Sequence, residues 1–401
     1  MRVLHIITRM IVGGAQENTR FNCLDLVTEY GDDVSLITGP SLGAEGSLLD
    51  QTQTQDPSRS SKLWVIEEPT LIRAINPWKD QKAYRQLRSR IRSLRPDVVH
   101  THSAKAGLLG RAAAWNEDVP CVVHTVHGAP FHPYQNGLAR RFFQACERWA
   151  AKRCHHMISV ADAMTELMVE ARIAERAKFT TIYSGMDVEP FLRANSLREQ
   201  TRQELGLRPE DVVFGKIARL FHLKGHEYLL EAAKEVVSKA PNVRFLLVGD
   251  GILRDEIERN LESMGLRGHF IFTGLVPPAR IPSLVGAMDA LVHTSLREGL
   301  ARAIPQALIA GRPVVSYDID GAREVVINGE TGFLLPPKSV GPLAGAIVQL
   351  AQDNHLRRRL GNEGQNRFTE RFRHQNMTTE IRALYTRILG ANQPKRSRIG
   401  D

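Results

Sequence analysis

Short runs of valine, isoleucine and leucine recur along the chain, each followed by a turn and then by a stretch whose apolar residues return at helical spacing. Buried parallel strands alternating with covering helices produce that pattern. It predicts strands over residues 3–8, 34–38, 63–66, 98–101, 122–126 and 157–160, with helices over 79–94 and 138–152 among those between them. The rhythm restarts with strands over 212–218, 244–248, 270–273, 290–294 and 313–316. The predicted fold class is therefore α/β, two Rossmann-like doubly wound sheets in series. After Gly332 the pattern is mostly helical, and 378–389 carries apolar residues at helical spacing. The Gln/Ser/Thr-rich stretch 45–61 reads as a surface loop, and the tail Pro394-Lys395-Arg396-Ser397-Arg398 as disordered. A strand-like run ending at Tyr183-Ser184-Gly185-Met186-Asp187 marks the seam, giving domains 1–187 and 188–372. Residues 373–401 are expected to supply a helix that packs back on the first domain, then the basic tail.

Composition narrows the function. The four cysteines, Cys23, Cys121, Cys146 and Cys154, form no C-x-x-C pair and no zinc-finger spacing, so neither a disulfide framework nor a structural zinc is expected. The apolar first segment carries arginines and runs into glycines, which suits a buried strand better than a signal peptide. No stretch is long enough to span a bilayer, so the expected location is cytoplasmic, with contact to the inner face of a membrane left open. Lysine and arginine exceed aspartate and glutamate, 53 against 44, which favours an anionic partner. The interleaved aromatic and basic residues of a nucleic-acid platform are missing, so nucleic acid is not expected.

Candidate chemistry gathers at predicted strand ends, where open α/β sheets bind ligands. Gly13-Gly14 follows the first strand and precedes a helix starting near Gln16, which is either an anion site at a helix N-terminus or a plain tight turn. His100 and His102 share one face of a strand as core histidines or as part of a site, and a metal pair there lacks a third ligand nearby in sequence. His124 and His127-Gly128 repeat the arrangement one strand on. Arg219 ends the first strand of the second half and Lys224-Gly225 leads into a helix, a set of cations suited to a diphosphate. In Ser295-Leu296-Arg297-Glu298-Gly299-Leu300, Glu298 can accept from hydroxyls beside the backbone amides of Gly299 and Leu300. Gln306 follows eight residues after Glu298, about two helical turns on. Arg140, Arg141, Arg148 and Lys152 share a helix with Leu138, Phe142 and Trp149. That helix either rests on anionic lipid or presents a solvated face above a buried apolar stripe.

Taken together, these segments resemble family four of the retaining glycosyltransferases, of GT-B fold, two Rossmann-like domains facing across a cleft. The resemblance rests on VVHTHSAKAGLLGR, HTVHG, TIYSGMD, ARLFHLKGHEYLLEA, LLVGDG, FTGLV and REGLARAIPQALIAGRPVV, in that order over nearly the whole chain. It implies a hexosyltransferase using a nucleoside-diphosphate sugar, a UDP-sugar first among them, with retained anomeric configuration and with neither metal nor other cofactor. It further implies that Arg219 and Lys224 bind the donor diphosphate, that Glu298 accepts from donor-sugar hydroxyls, and that Gly299 and Leu300 offer amides. His127 would lie beside the reacting carbon, Gly13 and Gly14 over the diphosphate and acceptor, and Gly274 and Val276 at the base. Where the family has a second glutamate bonding the ribose, this chain has Gln306, which implies weaker donor binding. The implied partner is a saccharide or lipid-linked acceptor in cell-surface polysaccharide or glycolipid synthesis. A non-catalytic sugar-nucleotide-binding subunit and a GT-B-fold nucleotide-sugar epimerase are the competing readings.

Overall fold

The computed structural model describes residues 1–41, 47–49 and 63–392. The tail 394–398 lies outside the described residues, as does the expected loop 45–61 apart from 47–49. The chain divides into two compact units, Met1–Met186 joined by the segment that begins at Arg373, and Asp187–Phe372.

In the first unit the strands are β1 (Arg2–Arg9), β2 (Asp33–Gly39), β3 (Leu63–Glu67), β4 (Val98–His102), β5 (Cys121–Val126), β6 (His156–Ser159) and β7 (Phe179–Thr181). They form one parallel sheet of order β3-β2-β1-β4-β5-β6-β7. Strands β4 and β5 are buried at every position because helices cover both faces. They begin on the apolar runs Val98-Val99 and Cys121-Val122-Val123 before turning to the buried polar residues His100, Thr101, His102, His124 and Thr125. The helix Pro77–Leu94 starts where the sequence supplies both signals: Asn76 accepts from the Lys79 amide at 3.0 Å, and Pro77 takes the first helical position. The last helix, His374–Asn392, belongs to this unit. Asp25 accepts from His374 Nδ1 at 2.8 Å and from Thr378 Oγ1 at 2.7 Å, while Asp32 pairs with Arg382 at 2.9 Å and with the N-terminal ammonium at 2.7 Å.

The second unit contains β8 (Val212–Ile217), β9 (Val243–Val248), β10 (Phe270–Gly274), β11 (Ala290–His293), β12 (Val314–Tyr317) and β13 (Gly332–Leu335). Its sheet is also parallel, in the order β10-β9-β8-β11-β12-β13, over a core that includes Phe214, Phe245, Leu247 and Val292. Strand β13 departs from the helical reading of the region after Gly332. It is short, lacks β-branched residues, and opens on a glycine whose close approach is its reason: a Cβ there would stand 1.9 Å from the Val314 carbonyl oxygen.

Each sheet reverses its strand order once, between β1 and β4 in the first unit and between β8 and β11 in the second. Loops leaving neighbouring strands there diverge to opposite faces and open a crevice at the carboxyl edge.

Candidate active site

In the second unit, the loop after β8 carries Arg219 and Lys224, and the loop after β11 carries Glu298, so the two loops flank the strand-order reversal. Leu223 and Gly225 both take positive φ, 65° and 64°, to turn the chain into the helix His226–Lys239. Gly225 has a steric reason to lack a side chain, since a Cβ would come within 2.0 Å of the Thr294 carbonyl oxygen. The two loops are stitched together by the Leu296 amide donating to Leu223 O at 2.8 Å and by Thr294 Oγ1 donating to Gly225 O at 2.6 Å. Lys224 Nζ donates to Glu298 Oε1 in a half-buried ion pair. Burial alone would raise the Glu298 carboxyl, but the charge and hydrogen bond of Lys224 outweigh it and hold the group below its ordinary value. Glu298 is therefore an anion and purely an acceptor near neutral pH.

Arg219 is exposed, its guanidinium 5.0 Å from the centre of the Phe221 ring. The Glu298 amide donates to Asp320 Oδ2 at 2.6 Å, and the Gly321 amide to Gly299 O at 3.0 Å, which pins the Glu298 turn from the β12 side. The amides of Gly299 and Leu300 have no hydrogen-bond partner among the described residues. Gln306 lies on the helix Ala303–Ile309, partly buried, its side chain likewise unbonded among the described residues. Gly274, at φ 68°, ends β10 and accepts from the Gly249 amide at 3.1 Å, with Val276 two residues on. All eight residues predicted for this half lie at or after the carboxyl ends of strands of one sheet, Gly274 as the last residue of β10 and the others on the loops or helix that follow. Lys224 and Glu298 are in direct contact; Gln306, Gly274 and Val276 make no hydrogen bond or ion pair with either among the described residues.

Two further residues shape this crevice without having been legible as candidates. Lys216, on β8, is fully buried beneath the loops, donates to Thr294 Oγ1 at 2.6 Å, and is pushed by burial down to about 7. Its sequence signal was a lone lysine inside the apolar run Val212-Val213-Phe214-Gly215-Lys216-Ile217. Asp320 has positive φ, 44°, and burial raises its carboxyl, outweighing the hydrogen bond from the Glu298 amide.

In the first unit, Gly13 caps the helix Gly14–Thr28 with extended backbone, and its carbonyl accepts from the Glu17 amide at 2.9 Å. The histidines form a chain. His127, just past β5, meets His102 (Nε2 to Nδ1, 3.1 Å), and His102 meets His5 on β1 (Nε2 to Nδ1, 3.0 Å). His100 stands in register with His5 and bonds Tyr385 of the last helix and Thr125 at 2.7 Å. Burial drives His5 down to about 3 and His100 and His102 well below their ordinary value, so all three are neutral.

A neutral chain has two possible tautomers. The His5 Nε2 at its inner end is buried and without a partner. A lone pair is cheaper to leave there than an N–H, since orphaned buried donors are rare. His5 therefore donates through Nδ1 to His102, which donates through Nδ1 to His127 Nε2, leaving the His127 proton on Nδ1. The third histidine corrects the expectation that no further ligand stands near His100 and His102. Nitrogens of His5, His100 and His102 lie within 4.8 Å of one another, because β1 and β4 pair in register. These rings already bond one another, Tyr385 and Thr125, which suits a hydrogen-bonded relay better than an ion.

The apolar side of the helix Gly137–Ala151 also departs from the buried stripe considered above. Leu138, Phe142 and Trp149 are 77%, 56% and 44% exposed, and the helix instead buries Glu147, Ala150 and Ala151. Glu147 pairs with fully buried Arg111 at 2.9 Å, and that ion pair turns the apolar residues outward.

Paired strand-order reversals carrying a Lys/Glu pair in one unit and a histidine chain in the other define a two-domain α/β enzyme of GT-B type. Residues 198–367 match the family "Glycosyl transferases group 1", and residues 26–185 match "Glycosyl transferase 4-like domain". The chain is 33% identical over 291 residues to UDP-Gal:alpha-D-GlcNAc-diphosphoundecaprenol alpha-1,3-galactosyltransferase of Escherichia coli, covering 72% of this chain and 75% of that one. It is 25% identical over 307 residues to the capsular polysaccharide biosynthesis glycosyltransferase CapM of Staphylococcus aureus, 75% of this chain and 79% of the other. The crystal structure of Anabaena Alr3699/HepE in complex with UDP superposes with a TM-score of 0.77 at 23% identity, covering 96% of this chain and 100% of its own, a likeness of fold. The chain belongs to the group 1 glycosyltransferases.

Proposed function

We propose that this glycosyltransferase moves a sugar from a UDP-sugar, with retention and without a metal, to a lipid-linked saccharide in cell-surface polysaccharide or glycolipid synthesis, at the cytoplasmic face of a membrane. The observation that carries the reading is the Lys224–Glu298 pair at the β8/β11 reversal, with Arg219 on the same loop as Lys224. With donor present, Lys224 and Arg219 turn to the diphosphate and offset the charge that grows on it as the glycosidic bond breaks. Glu298, held anionic, accepts from the sugar hydroxyls, while the amides of Gly299 and Leu300 donate to phosphate. Gln306 holds the ribose, Gly274 and Val276 border the base, and Gly13 and Gly14 close over the diphosphate. His127 presents its Nδ1–H near the reacting carbon. The acceptor attacks from the face the diphosphate leaves, and the departing oxygen takes the acceptor proton, so no enzyme nucleophile is required.

The donor assignment draws support from the E. coli relative, named for UDP-Gal, and from Alr3699/HepE, seen with UDP-glucose. The acceptor class draws on the diphosphoundecaprenol in that relative's name. No described helix is long and apolar enough to cross a membrane, so contact with one would be peripheral. The test is a panel of UDP-, GDP- and ADP-sugars offered with a lipid-linked saccharide in EDTA, with the anomeric coupling of the product compared with that of the donor. Transfer from a UDP-sugar with unchanged configuration is expected; an inverted product, a metal requirement or a trapped glycosyl-enzyme adduct would contradict the mechanism. Gln306 favours one second reading, a nucleotide-sugar-binding subunit without catalysis, whose signature is nucleotide binding with no transfer to any acceptor.

A further inference from the structure

A groove in the first unit opens at the β1/β4 reversal and runs outward along the helix Ala104–Asn116. Leu108 and Leu109 form its floor, the segment around Ile75 and Pro77 one wall, and Phe142, Phe143 and Trp149 the other. It consists of two adjoining cavities of about 570 and 400 Å³ that share Asp80, Leu108 and Leu109. The buried Arg111–Glu147 pair sets its width by tying the floor helix to the helix Gly137–Ala151. The inner end, beside Thr8 and Ser103, is cationic. Lys105 there is paired with Asp80 at 2.6 Å, but Arg9 and Arg73 have no carboxylate partner among the described residues.

An apolar trough closed at one end by Arg9 and Arg73 is complementary to a molecule with an anionic head and one long hydrocarbon chain. A flat bilayer would meet the rim at Phe142; only a single chain can reach Leu108 and Leu109 between the walls. We infer that this groove takes the hydrocarbon chain of a lipid diphosphate, its phosphates at Arg9 and Arg73 and its chain laid over Leu108 and Leu109 toward Trp149. The inference deepens, and rests on, the lipid-linked acceptor proposed above, and makes the length of that lipid a determinant of binding.

The full chain is titrated with isopentenyl, geranyl, farnesyl and geranylgeranyl diphosphates below their aggregation limits by calorimetry, with inorganic diphosphate as the head alone and farnesol as the tail alone. Each seated methylene strengthens binding about fourfold, so if even two of the roughly ten carbons that separate the isopentenyl from the farnesyl chain are seated, Kd falls at least about tenfold. Leu109→Glu and Phe142→Asp flatten the series, while Arg9→Gln with Arg73→Gln weakens every diphosphate alike and leaves the dependence on length. Because Phe142 is already 56% exposed, Phe142→Asp melts as the wild type does, and a flattened series in it is not unfolding. A length-independent series in the wild type overturns the inference. So does loss of binding to phosphatidylglycerol/phosphatidylcholine vesicles in Phe142→Asp with an unchanged prenyl series, which would make this face a bilayer surface. A flat series alongside sugar transfer to a water-soluble acceptor sinks the groove and spares the transferase. A steep series with no transfer to any lipid-linked saccharide supports the groove and sinks the proposed acceptor.

Discussion

The two units share one topology, a parallel sheet with a single reversal of strand order, yet arm that reversal in opposite ways. In the second unit the crevice holds charge, Lys224 against Glu298 with Arg219 on the same loop as Lys224, above the buried Lys216 whose proton is held only weakly. In the first it holds neutral imidazoles sealed from water and an apolar groove. The difference teaches that the fold supplies a location, and that the residues placed at its strand ends and in its loops supply the chemistry. Under the proposed function, the charged crevice would grip the diphosphate and stabilise it as a leaving group, and the neutral, directional hydrogen bonds would orient the uncharged sugar.

Breaking the charged side has the largest expected effect. Lys224→Ala should lower kcat by about 10²–10³-fold, the usual loss on removing one transition-state charge partner, with the fold retained in the thermal melt. A fall confined to the donor KM would place Lys224 in ground-state binding only. Lys216 sharpens the same side through pH. The unfolded chain keeps the lysine proton up to an ordinary pKa near 10.5, whereas the folded chain releases it near 7. Between those values the unfolded state binds more protons, so stability rises with pH, by at most about 1.4 kcal/mol per unit. Lys216→Met should remove that rise in denaturant titrations at several pH values; an unchanged slope would mean the lysine is charged in the folded state.

The neutral side should respond more mildly. His102→Ala removes the donor that fixes the His127 tautomer, and we expect a fall in kcat on the order of tenfold, typical of a lost orienting hydrogen bond, with donor KM little changed. Nitrogen-15 shifts of His127 should move from the Nδ1–H form toward a mixture; a pure Nδ1–H signal in the variant would show that His102 does not set it. The smallest effect falls at Gln306, where Gln306→Ala should raise the donor KM about fivefold, the worth of one neutral hydrogen bond. An unchanged KM would remove the ribose contact.

Much of this contrast can be read from sequence, for reasons that also mark where reading stops. Buried parallel strands announce themselves as apolar runs, so twelve of the thirteen described strands fall in or beside segments the pattern picks out. β13 escapes because a backbone contact at Gly332 defines it. The charged residues stand out because Arg219, Lys224 and Glu298 interrupt apolar runs at strand ends. His5 does not, since its importance arises from pairing in register with His100, 95 residues away in the chain, a contact no local pattern encodes. The apolar face of the helix Gly137–Ala151 is visible in its periodicity, but its direction is not. The buried partner of Glu147 is Arg111 on another helix, and that pair decides which side faces outward.

The central claim, that cationic side chains of the second unit grip a nucleoside diphosphate, is tested most directly by calorimetric titration of UDP in EDTA into the wild type and into Lys224→Ala. The account predicts binding without metal by the wild type and a loss of at least about tenfold in the variant, as expected for removing a charged hydrogen-bond donor to phosphate. Equal affinity in the two proteins, or binding only when a divalent cation is added, would contradict it.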